Sequence, residues 1–290
     1  MTEVFVTTQL PEYATLWRYV SLDKLVDLLS TSELFFTPIA YFAQEDPFEG
    51  YLPAVCLRAN ASVFKPFIGD LENVVDQLAA LWQCEPGKLE YLRIIRERAA
   101  SLKTLPTEYF QAVTRCITVN CWHANNCESE AMWRLYAENG KACAIETNVS
   151  ALKDAVQSAH SNHRVHIFPV KYLDFFDETL RPADCIVEGR LVPFLKRQSY
   201  QHENEVRASI HRVPEDVRQA ANLAYWQPQP VRLPISTRAL IKRIHVSPYA
   251  KEPFFSGVKR ICEAFGVQGD LVVSSRLLSG REELIKALAI

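Results

Sequence analysis

The sequence predicts an α+β fold built on a mixed, mainly antiparallel sheet with flanking helices and one helical insert. Short apolar or alternating runs outnumber the helical segments, and their order lacks the regular alternation of parallel βαβ units. No glycine-rich phosphate loop follows any of these runs, which disfavours a P-loop nucleotidase or a Rossmann enzyme. The chain has 290 residues, 48% of them hydrophobic, which is enough for a sizeable core.

The predicted strands are short runs rich in apolar, β-branched and aromatic residues. Proline limits several of them: Pro38 ends the second run, and a Gln-Pro-Gln-Pro stretch at 227–230 precedes a later one. Strands are predicted at 16–19, 34–37, 115–122, 142–146, 165–172, 205–210, 231–235, 239–246 and 271–274. The stretch 41–50 contains an Asp-Pro pair and ends in glycine, which is typical of a loop.

Helices are predicted where apolar residues recur every three or four positions. Ser21 is the predicted N-cap of the first helix, and the Asn-Gly pair at 139–140 ends another. The predicted helices are 22–29, 129–138, 150–158 and 251–265. Two further helical patterns follow each other between about 70 and 115, so we predict a helical insert within a single domain that spans residues 1–290.

Composition excludes several classes of protein. A charged fraction of 23% and an aromatic fraction of 11% are typical of a folded chain rather than a disordered one. The net charge is −2, so no overall positive field predicts nucleic-acid binding. No apolar stretch reaches the length of a membrane span and no signal-peptide pattern opens the chain, so we expect a cytoplasmic protein without a membrane partner.

The eight cysteines are spread over the whole chain, without the spacing of a small disulfide scaffold. Cys121, His123 and Cys127, with Cys116 as a fourth ligand, are the candidate zinc site. Their spacing is not that of standard zinc knuckles, and Cys116 and Cys121 belong to a run that is typical of a buried strand. We therefore expect free thiols and no bound metal.

The stretch 196–207 is rich in basic, acidic and imidazole side chains, and we regard it as the main candidate site in the sequence. Its basic and imidazole side chains are Lys196, Arg197, His202 and Arg207. From Glu205 to Ile210 polar and apolar residues alternate, which predicts a half-buried strand with an exposed polar face. In an extended chain Glu203 and Glu205 project from one face. The pair is either part of a salt-bridged sheet edge or an acid pair of an active site, in which repulsion by Glu203 leaves Glu205 with little effect on stability.

Other candidate site residues each have a structural and a functional interpretation. Arg18 lies in a short apolar strand, where it either extends to solvent at the rim or binds an anion. Trp133 and Tyr136 lie three apart on one helix face, suited to core packing or to stacking on a ring. His123, at a strand end, is a core histidine or a ligand contact.

Several segments resemble a bacterial and archaeal family known as domain of unknown function 2971. The similarity extends over most of the chain and lies in the segments 16–22, 46–50, 121–123, 128–136, 196–207 and 246–255. The family name implies no activity, so the resemblance alone predicts no reaction.

A more distant resemblance is to ADP-ribosyltransferases, and it carries the fold and activity expected here. In those enzymes an arginine on a first strand, a Ser/Thr strand and a Glu-x-Glu pair follow in that order. They correspond to Arg18, Thr147 and Glu203-Asn204-Glu205. The Thr147 match is a single residue, since the usual Ser-Thr-Ser run is absent.

The resemblance implies that Glu205 is the catalytic acid, that Glu203 selects the acceptor and that Arg18 binds the pyrophosphate of NAD, which is the substrate. His123 is a catalytic candidate because it is placed to contact the ribose. The remaining residues predicted to bind the cofactor are Tyr19, Trp133, Tyr136, Thr147 and Arg207. A carboxylate near the ribose stabilises the positive charge that develops when the bond to nicotinamide breaks.

The leading hypothesis is therefore an ADP-ribosyltransferase-like enzyme that cleaves NAD and transfers ADP-ribose to a nucleic acid or a protein, as a phage-defence or toxin effector. One alternative is a metal-dependent nuclease or hydrolase in which Glu128, His202, Glu203 and Glu205 hold Mg²⁺ or Mn²⁺. Another is a non-catalytic sensor that binds a nucleotide-type small molecule at the same residues.

Overall fold

The structure is a computed structural model that describes residues 2–81, 93–94, 96–97, 114–137, 140–212 and 227–280. Its strands are β1 (Glu3–Val6), β2 (Thr15–Val20), β3 (Glu33–Pro38), β4 (Ile117–Ala124), β5 (Cys143–Asn148), β6 (Arg164–Pro169), β7 (Lys171–Leu173), β8 (Leu195–Arg197), β9 (Glu205–His211), β10 (Val231–Pro234), β11 (Arg243–Val246) and β12 (Val272–Ser274). Its helices are α1 (Leu22–Thr31), α2 (Ala54–Leu81), α3 (Glu130–Tyr136), α4 (Val149–Gln157), α5 (Thr237–Leu240) and α6 (Phe254–Ala264).

Ten of these strands form one mixed sheet, and β7 and β8 pair separately. The order along the main sheet is β1-β6-β9-β4-β2-β5-β11-β12. Only the outermost pairs, β1 with β6 and β11 with β12, are parallel within this sheet. The predicted mixed, mainly antiparallel sheet with flanking helices is therefore confirmed.

The centre of the sheet divides at β4. One edge of β4 pairs with β9 along its length, while its other edge is shared by two strands. At the C-terminal end His123 pairs with Trp17 of β2, and near the N-terminal end Val119 pairs with Thr37 of β3. Because β2 and β3 approach β4 at different ends, a gap opens between them next to the middle of β4. Arg18 follows the last β2–β4 pair directly and so lies at this gap.

Helices cover the sheet and bury its apolar side chains. α1 contributes Leu25, Leu28 and Leu29 to the main hydrophobic cluster, at the three- and four-residue spacing that the sequence shows. α4 contributes Val149, Leu152, Ala155 and Val156, and α6 contributes Val258 and Cys262. Full burial of each large aliphatic side chain stabilises the fold by about 1.5–3 kcal/mol.

β9 departs from its predicted environment. Its alternating sequence predicts an exposed polar face, but both faces are buried, and Arg207 and Ser209 are 2% and 0% exposed. The segment that precedes β9 covers this face: Leu195 packs with the strand residues Ile117 and Val119. The polar residues of β9 are therefore internal, and each needs a partner inside the protein.

Other predicted boundaries also differ. The stretch 239–246 contains the C-terminal part of α5 and then β11, rather than one strand; the Ser236 hydroxyl caps the N-terminus of this helix. The stretch 165–172 is divided at Val170 into β6 and β7. β1 and β8 were not predicted. The first helix of the predicted insert begins at Ala54 rather than near 70, and most of 82–113 lies outside the described residues. None of the described helices combines the length and the apolar character needed to cross a bilayer.

Candidate functional site

A cavity of about 240 Å³ lies at the gap between β2, β3 and β4, and we call it the central cavity. Its lining is mostly polar and charged, in contrast to the apolar clusters around it. The residues that define it are Arg18, Tyr19, Lys24, Glu49, Cys121, His123, Tyr136, Lys196, Tyr200, Glu203, Glu205 and Arg207. It therefore unites segments from the first, middle and last thirds of the chain.

The structure brings together three residues that are far apart in sequence. Arg18 is on β2, His123 on β4 and Glu205 on β9, and all three line the central cavity. His123 and Glu205 are direct partners in the β4–β9 ladder, which places their side chains on one face of the sheet. The predicted convergence of these residues is confirmed, while their chemical roles remain predictions.

Arg207 organises the floor of the cavity. Its Nε and Nη2 donate to the two carboxylate oxygens of Glu205 at 2.8 and 3.1 Å. Its Nη1 and Nη2 donate to Glu49 at 2.7 and 3.0 Å, and Nη1 also donates to the Pro193 carbonyl at 2.7 Å. These bonds use the full set of donors that a guanidinium offers. Arg207 therefore holds two carboxylates in place, and the predicted direct contact with a cofactor does not fit this geometry.

Lys196 is the second cation of the cavity floor, and it lies near three carboxylates. Its Nζ lies 2.7 Å from Glu203, 3.4 Å from Glu205 and 4.0 Å from Glu49. The side chain is 11% exposed, and its ammonium also lies 4.6 Å from the centre of the Tyr200 ring. The Coulombic attraction in ion pairs this well shielded from water is stronger than in surface pairs, and the desolvation of the charges offsets part of it.

The two glutamates of the Glu-x-Glu pair meet for a reason other than the predicted one. Glu203 ends a 3₁₀ turn, Gln198–Glu203, and Asn204 has a left-handed backbone with φ of 41° before β9 begins at Glu205. They are therefore not neighbours on one face of an extended strand. Lys196, which bonds to both carboxylates, brings them together.

The electrostatics of this cluster keep Glu205 ionised. Burial raises the pKa of its carboxyl, but the charges of Arg207 and Lys196 outweigh burial and lower the pKa to about 2. Burial lowers the pKa of Lys196, but the carboxylates of Glu205, Glu203 and Glu49 outweigh burial and raise it. Three carboxylates (Glu49, Glu203 and Glu205) thus face two cations, which leaves the floor of the cavity with excess negative charge.

Arg18 has a different environment from Arg207. Its guanidinium lies 5.8 Å from the centre of the Trp122 ring, and it makes no hydrogen bond or ion pair with any residue that the structure describes. The side chain is half-buried, and this burial lowers its pKa. Lys24, which is exposed, lines the same side of the cavity. A half-buried guanidinium with free donors is a favourable place for a phosphate or carboxylate.

Aromatic rings form one wall. Tyr136 is 41% exposed, and its ring lies 6.3 Å from that of Tyr19 and 5.9 Å from that of His123. His123 Nδ1 lies 2.7 Å from the Glu203 carbonyl, so Nδ1 carries the proton and Nε2 is an acceptor. Burial lowers the pKa of His123, which keeps the ring neutral at pH 7.

Two predicted cofactor residues lie outside the cavity lining. Trp133 is fully buried, and its Nε1 donates to Glu128 at 2.9 Å, so it packs within the core. Thr147 is 1% exposed, and its hydroxyl donates to the Leu240 carbonyl, so its role is to join β5 to α5. Tyr19 does line the cavity, while its hydroxyl accepts the Ser129 N–H at 2.8 Å.

The residues predicted to bind a metal in the alternative hypotheses do not lie together. His202 is exposed, and Glu128 bonds to Trp133 and Ser275, so neither joins Glu203 and Glu205 at the cavity. The seven described cysteines are free thiols, and Cys127 is exposed, away from the buried Cys116. Among the residues that the structure describes, no group of three or more His, Cys, Asp or Glu is arranged to hold a metal.

Sequence reasoning did not identify Glu49, Lys24 and Tyr200 as site residues. Glu49 belongs to the Asp-Pro-Phe-Glu-Gly stretch at 46–50, where Gly50 has a φ of 77° and Asp46 accepts from Arg197 at 2.7 Å. The sequence gives no sign that Asp46 and Glu49 are buried, because an acid in a predicted loop is normally solvated; their burial is visible only in the structure.

Comparison with known proteins found no matching family model, no matching curated protein and no matching solved structure. The fold and the site therefore define the class of this molecule by themselves: an α+β protein with a divided sheet and an ionic cavity at the division. The resemblance to domain of unknown function 2971 and to ADP-ribosyltransferases remains a prediction from the sequence.

Proposed function

We propose that the central cavity binds a nucleotide and cleaves its N-glycosidic bond, with NAD as the substrate, in the manner of an ADP-ribosyltransferase. One observation carries the proposal: the free guanidinium of Arg18 and the excess negative charge around Glu205 line the same cavity. A ligand that has phosphates at one position and develops positive charge at another matches both.

The space next to Arg18 supports a long ligand. A second cavity of about 500 Å³ shares Arg18, Val20, Lys24 and Thr37 with the central cavity. Arg18 therefore lies where the two cavities meet, as a residue that binds a central pyrophosphate should. A single cavity of about 240 Å³ would hold only part of a dinucleotide.

The proposed reaction assigns distinct roles to the floor and the wall. When the bond between C1′ of the ribose and the nicotinamide nitrogen breaks, the electron pair goes to nicotinamide and the ribose becomes positively charged. Glu205, whose pKa is about 2, is ionised at neutral pH and stabilises that charge. The nucleophilic atom of the acceptor then bonds to C1′ and loses its proton. A carboxylate of such low pKa is a poor base, so we assign this proton to Nε2 of the neutral His123.

A second candidate is a nucleotide sensor without turnover, and one observation favours it. Both oxygens of Glu205 are already bound by Arg207, and Oε2 also by Lys196, which is the arrangement of a structural ion-pair network. The metal-dependent hydrolase is less favoured, because Lys196 lies between the carboxylates where a metal ion would have to displace it.

The test is to incubate the purified protein with NAD and to measure nicotinamide release and the melting temperature, with and without EDTA. Release that is insensitive to EDTA supports the proposed reaction. A rise in melting temperature without release supports the sensor. No release together with no shift overturns both, and EDTA-sensitive cleavage of nucleic acid would instead identify a metal-dependent nuclease.

A further inference from the structure

A third cavity, of about 830 Å³, lies at the edge of the sheet that is formed by β1, with β6 beside it. We call it the edge cavity, and the residues that matter in it are Phe5, Lys153, Arg164, His166 and Arg190. Pairing of β1 with β6 and of β6 with β9 places Phe5, His166 and Ser209 on one face of the sheet. The proposed function uses none of these residues.

A tight hairpin fixes the position of Arg190. Val187 and Arg190 exchange two backbone hydrogen bonds, of 2.7 and 2.9 Å, across the two residues between them. Glu188 and Gly189 have positive φ values of 47° and 76°, as the two central residues of a type I′ turn require. The segment that follows this turn contributes Lys196 to the central cavity, so residues 190–196 connect the two sites along the chain.

Arg190 has a neutral partner. Its Nη2 lies 2.6 Å from His166 Nε2, and because a guanidinium only donates, Nε2 accepts and Nδ1 carries the proton. Burial, followed by the charge of Arg190, lowers the pKa of His166 to about 4, so the ring is neutral at pH 7. No carboxylate pairs with Arg190 among the described residues, and its remaining donors are available.

The other cations of the edge cavity are paired with carboxylates. Arg164 lies 2.7 Å from Glu3, and Lys153 lies 3.8 Å from Glu12. The carboxylate of Glu188 accepts the Thr7 hydroxyl at 2.7 Å instead of pairing with its neighbour in the turn. Arg190 is therefore the cation of this cavity that an incoming anion can use without breaking an ion pair.

An aromatic ring lies beside this cation. Phe5 stacks on His166, with a centroid distance of 5.1 Å and an angle of 11° between the planes. Phe5 is 45% exposed and lines the edge cavity, so part of its ring is accessible to a ligand. Exposed aromatic rings of this kind bind nucleobases by stacking, without sequence preference.

We propose that the edge cavity is a binding site for a nucleoside monophosphate, with the phosphate on Arg190 and the base on Phe5. The half-buried guanidinium supplies charge and paired donors for phosphate oxygens, and the stacked Phe5–His166 pair supplies a flat surface for the base. This site is separate from the central cavity, so it stands or falls independently of NAD cleavage.

The experiment is calorimetric titration of the 290-residue chain with adenosine monophosphate, inorganic phosphate and adenosine. We expect adenosine monophosphate to bind more tightly than either of its parts, because both contacts contribute. Arg190→Gln should weaken this binding by about tenfold or more, through the loss of a charge-assisted contact. Phe5→Ala should bring the affinity close to that of inorganic phosphate alone.

Two matched controls make the result decisive. Arg164→Gln removes a cation of the same cavity that is paired with Glu3, and it should change the affinity little. Arg18→Gln removes the free guanidinium of the central cavity and should leave edge-cavity binding intact. The proposal is overturned if the protein does not bind adenosine monophosphate, if phosphate alone binds equally well, or if Arg18→Gln abolishes binding that Arg190→Gln retains.

Discussion

Glu205 and Arg207 lie two residues apart on β9 and are joined by two hydrogen bonds of 2.8 and 3.1 Å between fully buried side chains. Arg207 uses its remaining donors on Glu49 and Pro193, so the pair is the centre of a network and not an isolated ion pair. This relationship gives Glu205 a structural role whatever its chemical role, and several consequences can be measured.

The first prediction is that Glu205→Gln destabilises the protein by about 3 kcal/mol, as loss of one partner from a buried ion pair does. The sequence predicted little effect because Glu203 repels Glu205, but in the structure Arg207 and Lys196 bind Glu205 directly. Urea unfolding of the two proteins measures the difference. An unchanged free energy of unfolding would show that the network contributes no net stability.

Arg207→Lys should be at least as harmful as Glu205→Gln, because a lysine cannot hold two carboxylates and a carbonyl at once. The expected loss is about 3–5 kcal/mol. Arg232→Lys is the matched control: Arg232 also bonds to a carboxylate, that of Asp27, but it is exposed and should cost less than about 1 kcal/mol. Equal losses in both variants would contradict the account.

The pH dependence of stability should reflect Glu205. Its pKa is lowered from 4.5 to about 2 in the folded protein, so its contribution is complete above 4.5 and is lost as the pH falls toward 2. The difference in unfolding free energy between the wild type and Glu205→Gln should therefore shrink over this range. A difference that stays constant across this acidic range would place the destabilisation elsewhere.

The contribution of His245 to stability should depend on pH in the opposite direction. Burial lowers the pKa of its ring, but Glu128 and Glu146, at 3.5 and 2.7 Å, outweigh burial and raise the pKa above 6.5. The stabilisation is therefore complete below 6.5 and is lost as the pH rises through the folded-state pKa. His245→Gln should be more destabilising in acid than in alkaline solution. Thermal unfolding of both proteins across neutral pH tests this sign.

Arg18→Gln should weaken the binding of NAD with little effect on the stability of the fold. Because Arg18 pairs with no described carboxylate, its loss should change the free energy of unfolding by less than about 1 kcal/mol. The affinity for NAD should fall about tenfold or more, through the lost contact to phosphate. Calorimetric titration beside an unfolding curve gives both quantities. Strong destabilisation with unchanged affinity would assign Arg18 to the fold.

Apolar periodicity in the sequence predicts most of the helices and strands. The convergence of Arg18, His123 and Glu205 was predicted from the order of motifs in which the sequence resembles ADP-ribosyltransferases. The burial of β9 and the bond between Glu49 and Arg207 could not be predicted in this way. Those two residues are 158 positions apart, and a polar strand face is normally exposed unless another segment covers it. Trp133 and Thr147 were predicted to bind the cofactor but lie outside the cavity. A short motif does not tell which face of a helix or strand is turned toward the core.

The most direct test of the central claim is the rate of nicotinamide release from NAD, per folded molecule, by the wild type and by Glu205→Gln in the same preparation conditions. The account predicts measurable release by the wild type and a loss of about a hundredfold in the variant, since a preorganised charge is removed from the site where positive charge develops. No release by the wild type, or equal rates for the two proteins after correction for the folded fraction, would contradict it.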